Sequence, residues 1–293
     1  MAINYVTQYQ STLEQKYAQA LATAALGPNG AKFIGTKAIQ IPRLSVSGYK
    51  EHSRAGGFQA GVIGNDYEVK TLAHDRDISF FVDAMDVDET NQVLSAANIT
   101  NTFEEEQAIP ELDAYRLSKI FFDYVTTFGQ AADATVLTAA NILSVFDGYM
   151  QAMDDEGVPE EGRILYATAA TKTLLKTASQ VTRSLESSGS FDGAIKRTVN
   201  RLDDVSIQSV PSARMKTAYD FTNGFVPAVG AKQINMMLVH PRSVIAIDKH
   251  SAIYLWAPGT HTGGDGWLYQ NRKYGDLFLI EKKIAGIKIN KDV

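Results

Sequence analysis

Five histidines, His52, His74, His240, His250 and His261, are the first residues to question for chemistry, and no two stand four apart as paired metal ligands on one helix face would. Asp83, Asp86, Asp88 and Glu89 form an acidic patch whose spacing matches no cation loop, and a solvated helix start accounts for them. Gly263-Gly264-Asp265-Gly266 invites a phosphate-binding reading. Trp267 and Tyr269 follow it, however, in place of a helix start whose amides could hold an anion, so the stretch reads as a long turn. Glu104-Glu105 and Asp203-Asp204 contain acid and base types, yet sequence neighbours on a helix do not face each other. There is no serine-nucleophile elbow, no Walker-type phosphate loop and no cysteine for disulfide, thiolate or nucleophile chemistry. The expectation is a protein without catalytic residues, cofactor or metal; an unrecognised enzyme or ligand-binding protein stays open as an alternative.

Hydrophobic periodicity gives the elements that would carry any site. Ser11 with Glu14 fits a capping box, and Leu13, Tyr17, Ala20, Leu21 and Ala24 follow at helical spacing until Gly27-Pro28-Asn29-Gly30. Two placements fit: an N-terminal arm, or a helix packed on its own core. Ile39, Ile41 and Val46, with Pro42 among them, predict an edge strand. Tyr67, Val69, Ile78, Phe80 and Val82 predict a second extended run with a bulge or break near Leu72-Ala73. Residues 98–128 predict a long helix with Phe103, Leu112, Tyr115, Lys119, Phe122 and Val125 on one face, kinked or restarted at Pro110-Glu111.

Further on, Ile142, Val145, Phe146, Tyr149, Met150 and Met153 define a core-facing helix that ends at Asp154-Asp155-Glu156-Gly157. Residues 163–167 predict a strand, followed by a helix opened at Thr168 or Thr171, and the serine-rich residues 184–190 predict a loop. Strands at Val205, Ile207 and Val210 and at residues 234–239 are stopped by Pro211 and Pro241, and residues 277–289 predict two strands joined across Ala285-Gly286. Strands and helices mix without sustained βαβ alternation, which argues for α+β.

Between the first two extended runs Gly48, Gly56, Gly57, Gly61 and Gly64 are interspersed with Lys50, Glu51, His52 and Arg54, a charged tip short of core-forming side chains. At about 3.3 Å per residue, an arm of about sixteen residues reaches roughly 50 Å. A compact chain of this size has a radius of gyration of about 19 Å. A hairpin over residues 37–82 would therefore overhang its own body and lie on a neighbour; the alternative is strands bent back into a local sheet. The 293 residues are enough for a large core, 45% are hydrophobic and 21% charged, and the net charge is −5. That balance lacks the basic footprint of a tight nucleic-acid binder. Residues 1–10 lack the layout of a secretory signal, and no apolar run approaches the roughly 20 residues of a membrane span.

The order of parts resembles the major capsid proteins of tailed bacteriophages, with the Hong Kong 97 coat fold. The resemblance is carried by Phe103, Gln107, Pro110, Glu111, Asp113, Tyr115 and Arg116 within the stretch Phe103-Glu104-Glu105-Glu106-Gln107-Ala108-Ile109-Pro110-Glu111-Leu112-Asp113-Ala114-Tyr115-Arg116. Further support comes from Asp75-Arg76-Asp77-Ile78-Ser79-Phe80, from Val210-Pro211-Ser212-Ala213-Arg214-Met215, from the strand ending His240-Pro241 and from Tyr274-Gly275-Asp276-Leu277-Phe278. It implies an N-terminal arm (1–30), a peripheral domain (31–128) with an extended hairpin (37–82) and spine helix (98–128), an axial domain (129–268), and C-terminal strands (269–293) returning to the peripheral domain. It also implies self-assembly as pentamers and hexamers into a virion head built in the host bacterial cytoplasm, with a scaffolding protein, a portal protein and in some heads decoration proteins as partners. Double-stranded DNA would be enclosed without sequence-specific binding, and no membrane would be involved. The arm begins almost at Met1, from which a separate scaffolding protein is expected. No motif assigns cross-linking to Lys50 or another residue. An encapsulin-like nanocompartment shell, sharing the fold, is the alternative.

Overall fold

The computed structural model describes residues 20–27, 32–34, 37–52, 56, 58–85, 96–178 and 201–293. Most of the expected N-terminal helix, the acidic residues from Asp86 to Glu89 and the serine-rich loop at 184–190 lie outside the described residues; Ala22–Ala25 form a 3-10 turn.

The chain first builds β1 (Lys32–Ile34), β2 (Ala38–Val46) and β3 (Ile63–Thr71), an antiparallel sheet in the order β1-β2-β3. Among the described residues β1 covers β2 only at Ala38–Gln40, which leaves the edge of β2 at Pro42 without a described ladder partner on that side, a position that tolerates a residue without N–H. β4 (His74–Asp83) does not continue the hairpin. Leu72 is buried and the Ala73 amide donates to Asp276 Oδ2 at 2.8 Å, which turns the chain into a different sheet. The hairpin is therefore 38–46 against 63–71, shorter than the expected 37–82, and its nine-residue strands span roughly 30 Å.

The spine runs through α1 (Ala96–Phe103), a π-helical segment (Glu104–Ala108), α2 (Ile109–Phe122) and a second π-helical segment (Asp123–Thr127). Pro110 neither breaks nor restarts it. Backbone angles stay helical from Phe103 to Ile109, and the wider π turn falls where the proline ring would crowd the preceding carbonyls. The buried stripe also differs from expectation: Asp113, Leu117, Ile120 and Tyr124 face inward, while Phe122 is exposed. The extra residue of each π turn rotates the faces relative to a uniform 3.6 period.

α3 (Ile142–Asp155), β5 (Ile164–Thr168) and α4 (Ala169–Thr177) follow, and Thr168 caps α4 by accepting from the Thr171 amide at 3.3 Å. β6 (Arg201–Leu202), β7 (Val205–Val210), the short pair β8 (Tyr219–Asp220) and β9 (Val226–Pro227), and β10 (Ile234–Val239) lead to the long hairpin β11 (Val244–Trp256) and β12 (Gly266–Leu279). β13 (Ile287–Lys291) closes the five-stranded sheet β13-β10-β5-β7-β6, whereas β12 sits between β11 and β4. The two C-terminal strands thus belong to different sheets and do not pair with each other. The expected boundary at 268/269 falls inside β12, and β11, expected in the axial region, pairs in the sheet of β4.

The five-stranded sheet is buried on both faces. Ile164, Tyr166, Met237, Val239, Ile287 and Ile289 meet the spine, and Leu165, Ala167, Met236 and Leu238 meet α3 and α4. A third cluster, Ile39, Ile41, Leu72, Ile245, Ile247 and Phe278, fastens the hairpin base to β11 and β12. Gly266 allows β12 to approach β4: a Cβ there would lie 2.3 Å from Val82 O.

Candidate functional site

Two features stand out: a polar hub on the spine and the hairpin that projects from β11 and β12. The hub is built by α2, which sets charged and polar residues three to four apart against neighbouring elements. Glu111 accepts from Arg76 Nε of β4 at 2.6 Å, and Arg76 also donates to Phe221 O at 2.5 Å. Asp113, fully buried, accepts from the Ala22 amide at 3.1 Å, the Thr23 amide at 3.0 Å, Thr23 Oγ1 at 2.8 Å and Arg214 Nη1 at 3.1 Å. Tyr115 donates to Asp276 Oδ1 at 2.6 Å, and Arg116 Nη2 reaches both Asp248 oxygens at 3.0 and 3.1 Å. Five segments distant in sequence are held to one helix this way.

The electrostatics follow from burial. Burial and the Asp276 carboxylate push the Tyr115 phenol well above its ordinary value. His74, stacked on Tyr115 with ring centroids 3.7 Å apart, is lowered to about 4 by burial and by the Arg76 guanidinium. A cleft of about 870 Å³ opens beside the hub, with His74, Arg76, Glu111, Tyr115 and Lys273 in its wall. Arg76 pairs with Glu111 and Lys273 with Glu104, so these side chains brace the wall. Among the described residues no group of three or more His, Cys, Asp or Glu could hold a metal ion, and no helix is long and apolar enough to cross a membrane.

The remaining motif residues fall nearby. Phe103 meets Phe80 edge-on with centroids 5.6 Å apart, Pro110 is buried, and Gln107 lies at the cleft. In the sequence Arg76, Arg214 and Asp276 stand in separate motifs; the fold makes them partners of Glu111, Asp113 and Tyr115. Thr23 and Asp248 were missed, and no spacing signal marks them.

The hairpin has two unlike faces. Strand register puts Ile39, Ile41, Arg43 and Ser45 with Lys70, Glu68, Asp66 and Gly64 on one face, and Pro42, Leu44 and Val46 with Val69, Tyr67 and Ile63 on the other. Ile39 and Ile41 are buried on the protein's own core. The second face points away from it: Leu44 is 65% exposed, Val46 70%, Ile63 73%, Tyr67 51% and Val69 59%. At the tip Gly48, Glu51, His52, Gly56 and Gly61 are exposed, as is Gly64 in β3; Lys50 Nζ donates to Ala60 O at 2.7 Å, and Arg54 and Gly57 lie outside the described residues. Tyr49 and Phe58 are also fully exposed.

An α+β chain with a long spine helix, a projecting hairpin and separate sheets has the Hong Kong 97-type capsid fold. Solved structures carry the same fold. A chain of the mature capsid of bacteriophage PhiM1 superposes with a TM-score of 0.72 at 13% identity, covering 99% of this chain and 92% of that one. The capsid of the cyanophage P-SCSP1u gives 0.66 at 11% identity over 99% and 93%, and a chain from Mycobacterium phage Che8 gives 0.62 at 13% over 98% and 97%. No protein-family model and no curated protein matches the sequence.

Proposed function

We propose that this chain is the major coat protein of a tailed double-stranded DNA phage, assembling as pentamers and hexamers into the head. The observation that carries the reading is the outward apolar face of the hairpin, Leu44, Val46, Ile63, Tyr67 and Val69, which the described residues leave uncovered. Exposed apolar ladders on a free strand pair are a liability in an isolated protein and an asset in one completed by its neighbours. The role is structural rather than catalytic: the hub bonds knit segments together, and the hairpin supplies a heterologous contact that closes into rings. A scaffolding protein and a portal are the partners this role calls for, with decoration proteins in some heads, and the net charge of −5 suits a wall that encloses DNA without gripping it.

Sedimentation and negative-stain microscopy of the purified chain, with and without a co-expressed scaffolding protein, test the reading. Closed megadalton shells are expected. A small oligomer under every condition would overturn it.

A further inference from the structure

Beyond Ile41 the hairpin leaves its own core, so its direction depends on what touches it next. Among the described residues, the side chains that reach it from the body belong to one turn, the 3-10 helix Glu281–Gly286 between β12 and β13. Glu281 accepts from Arg43 Nη2, and Lys282 Nζ donates to Leu44 O at 2.9 Å. The turn itself is fixed to the body. Ile280 N donates to Ser243 O at 3.0 Å, His240 N donates to Gly286 O at 2.8 Å, Ile284 packs on the main core, and a Cβ on Gly286 would lie 2.3 Å from Ser243 Oγ.

On the hairpin side, Arg43 is the first residue past the buried Ile39 and Ile41 on the same face. Its guanidinium also holds Glu68 of β3 at 2.5 Å, and Glu68 is held in turn by Lys70 at 2.5 Å. The grip on Arg43 therefore reaches both strands, and the hairpin is steadied as one unit.

We propose that Glu281 and Lys282 form a latch that sets the angle of the hairpin to the body, and hence the angle between adjoining subunits; the inference rests on the coat-protein reading. The Glu281 side chain is 56% exposed, so the contact is screened by water and salt and biases the angle without locking it. A bias of that kind suits a subunit that must occupy both pentamers and hexamers. The hydrophobic base provides the pivot and the charged turn provides the preferred setting.

The test compares the full-length wild type with E281A/K282A and with the conservative pair E281Q/K282R, which keeps an acceptor and a donor. Hydrogen–deuterium exchange on unassembled subunits reads the hairpin, and electron microscopy of assembled particles reads the angle. E281A/K282A is expected to raise exchange at residues 43–46 and 63–67 at least threefold, to leave β5 and β10 unchanged, and to broaden the spread of particle diameters. E281Q/K282R should stay close to wild type. Wild-type shells together with unchanged exchange and unchanged diameters in E281A/K282A would overturn the latch alone. A wild-type chain that never forms shells would sink the coat-protein reading instead.

Discussion

Replacing Asp113 by alanine removes the centre of the spine hub. The carboxylate is fully buried and compensates Arg214, whose side chain is only 8% exposed, while also accepting from two backbone amides and a hydroxyl. Breaking a buried pair from one side leaves an uncompensated charge and costs about 3–5 kcal/mol. The Thr23 amide and hydroxyl, both buried and both donating to Asp113, add a share of the roughly 1–3 kcal/mol that an orphaned buried group costs, though the effects overlap and do not simply sum. Asp113→Ala should therefore destabilise the subunit by about 4 kcal/mol, on the order of a thousandfold in the folded-to-unfolded ratio. Asp113→Ala with Arg214→Met removes both charges and should recover about 2 kcal/mol of that loss, a coupling expected of residues in direct contact. Urea unfolding of unassembled wild type, both single variants and the double variant measures the cycle. A loss below about 1 kcal/mol for Asp113→Ala, or strict additivity in the cycle, would refute the reasoning.

On the outer hairpin face, Leu44→Asp with Val46→Asp should leave subunit stability within about 0.5 kcal/mol, because both residues are exposed, yet abolish shell formation; Ser45→Asp, on the opposite face, should assemble. Shells of normal size from the double variant would count against the hairpin contact. His74 is neutral in the folded protein because its value has fallen from 6.5 to about 4, so its contribution is intact above about pH 6.5 and lost as the pH falls toward 4, by at most about 3 kcal/mol. Urea midpoints at pH 7 and 4.5 should converge in His74→Phe relative to wild type, and an identical pH response in both proteins would contradict this. Gly266→Ala should cost about 1–3 kcal/mol, since the new methyl would meet Val82 O at 2.3 Å; an unchanged melting temperature would show that β4 and β12 separate freely.

The motif words on the spine were legible because they are local. Glu111, Asp113, Tyr115 and Arg116 stand together in sequence, whereas Asp113 and Arg214 lie 101 residues apart and Tyr115 and Asp276 lie 161 apart, so no periodicity could join them. The hairpin carried a clearer signal than was read from it. Its apolar residues shift parity at Pro42, from the buried Ile39 and Ile41 to the exposed Leu44 and Val46, which moves the apolar side chains from the core face to the outward face along a single strand. The break expected near Leu72-Ala73 is where the chain changes sheet, but β4 continues in the same extended conformation, so the sequence did not show that the hairpin ends at Thr71; the buried Leu72 and the Asp276 contact mark that end. The π turns were invisible for a related reason: they alter which residues face inward without altering the residues that favour a helix.

A cryo-electron microscopy map of particles assembled from this chain tests the central claim most directly. The account predicts rings of five and six copies in which residues 38–71 of each copy cross onto the next, burying Leu44, Val46, Ile63 and Tyr67 against it. A map in which those four side chains face solvent, or fold onto their own subunit, would contradict it.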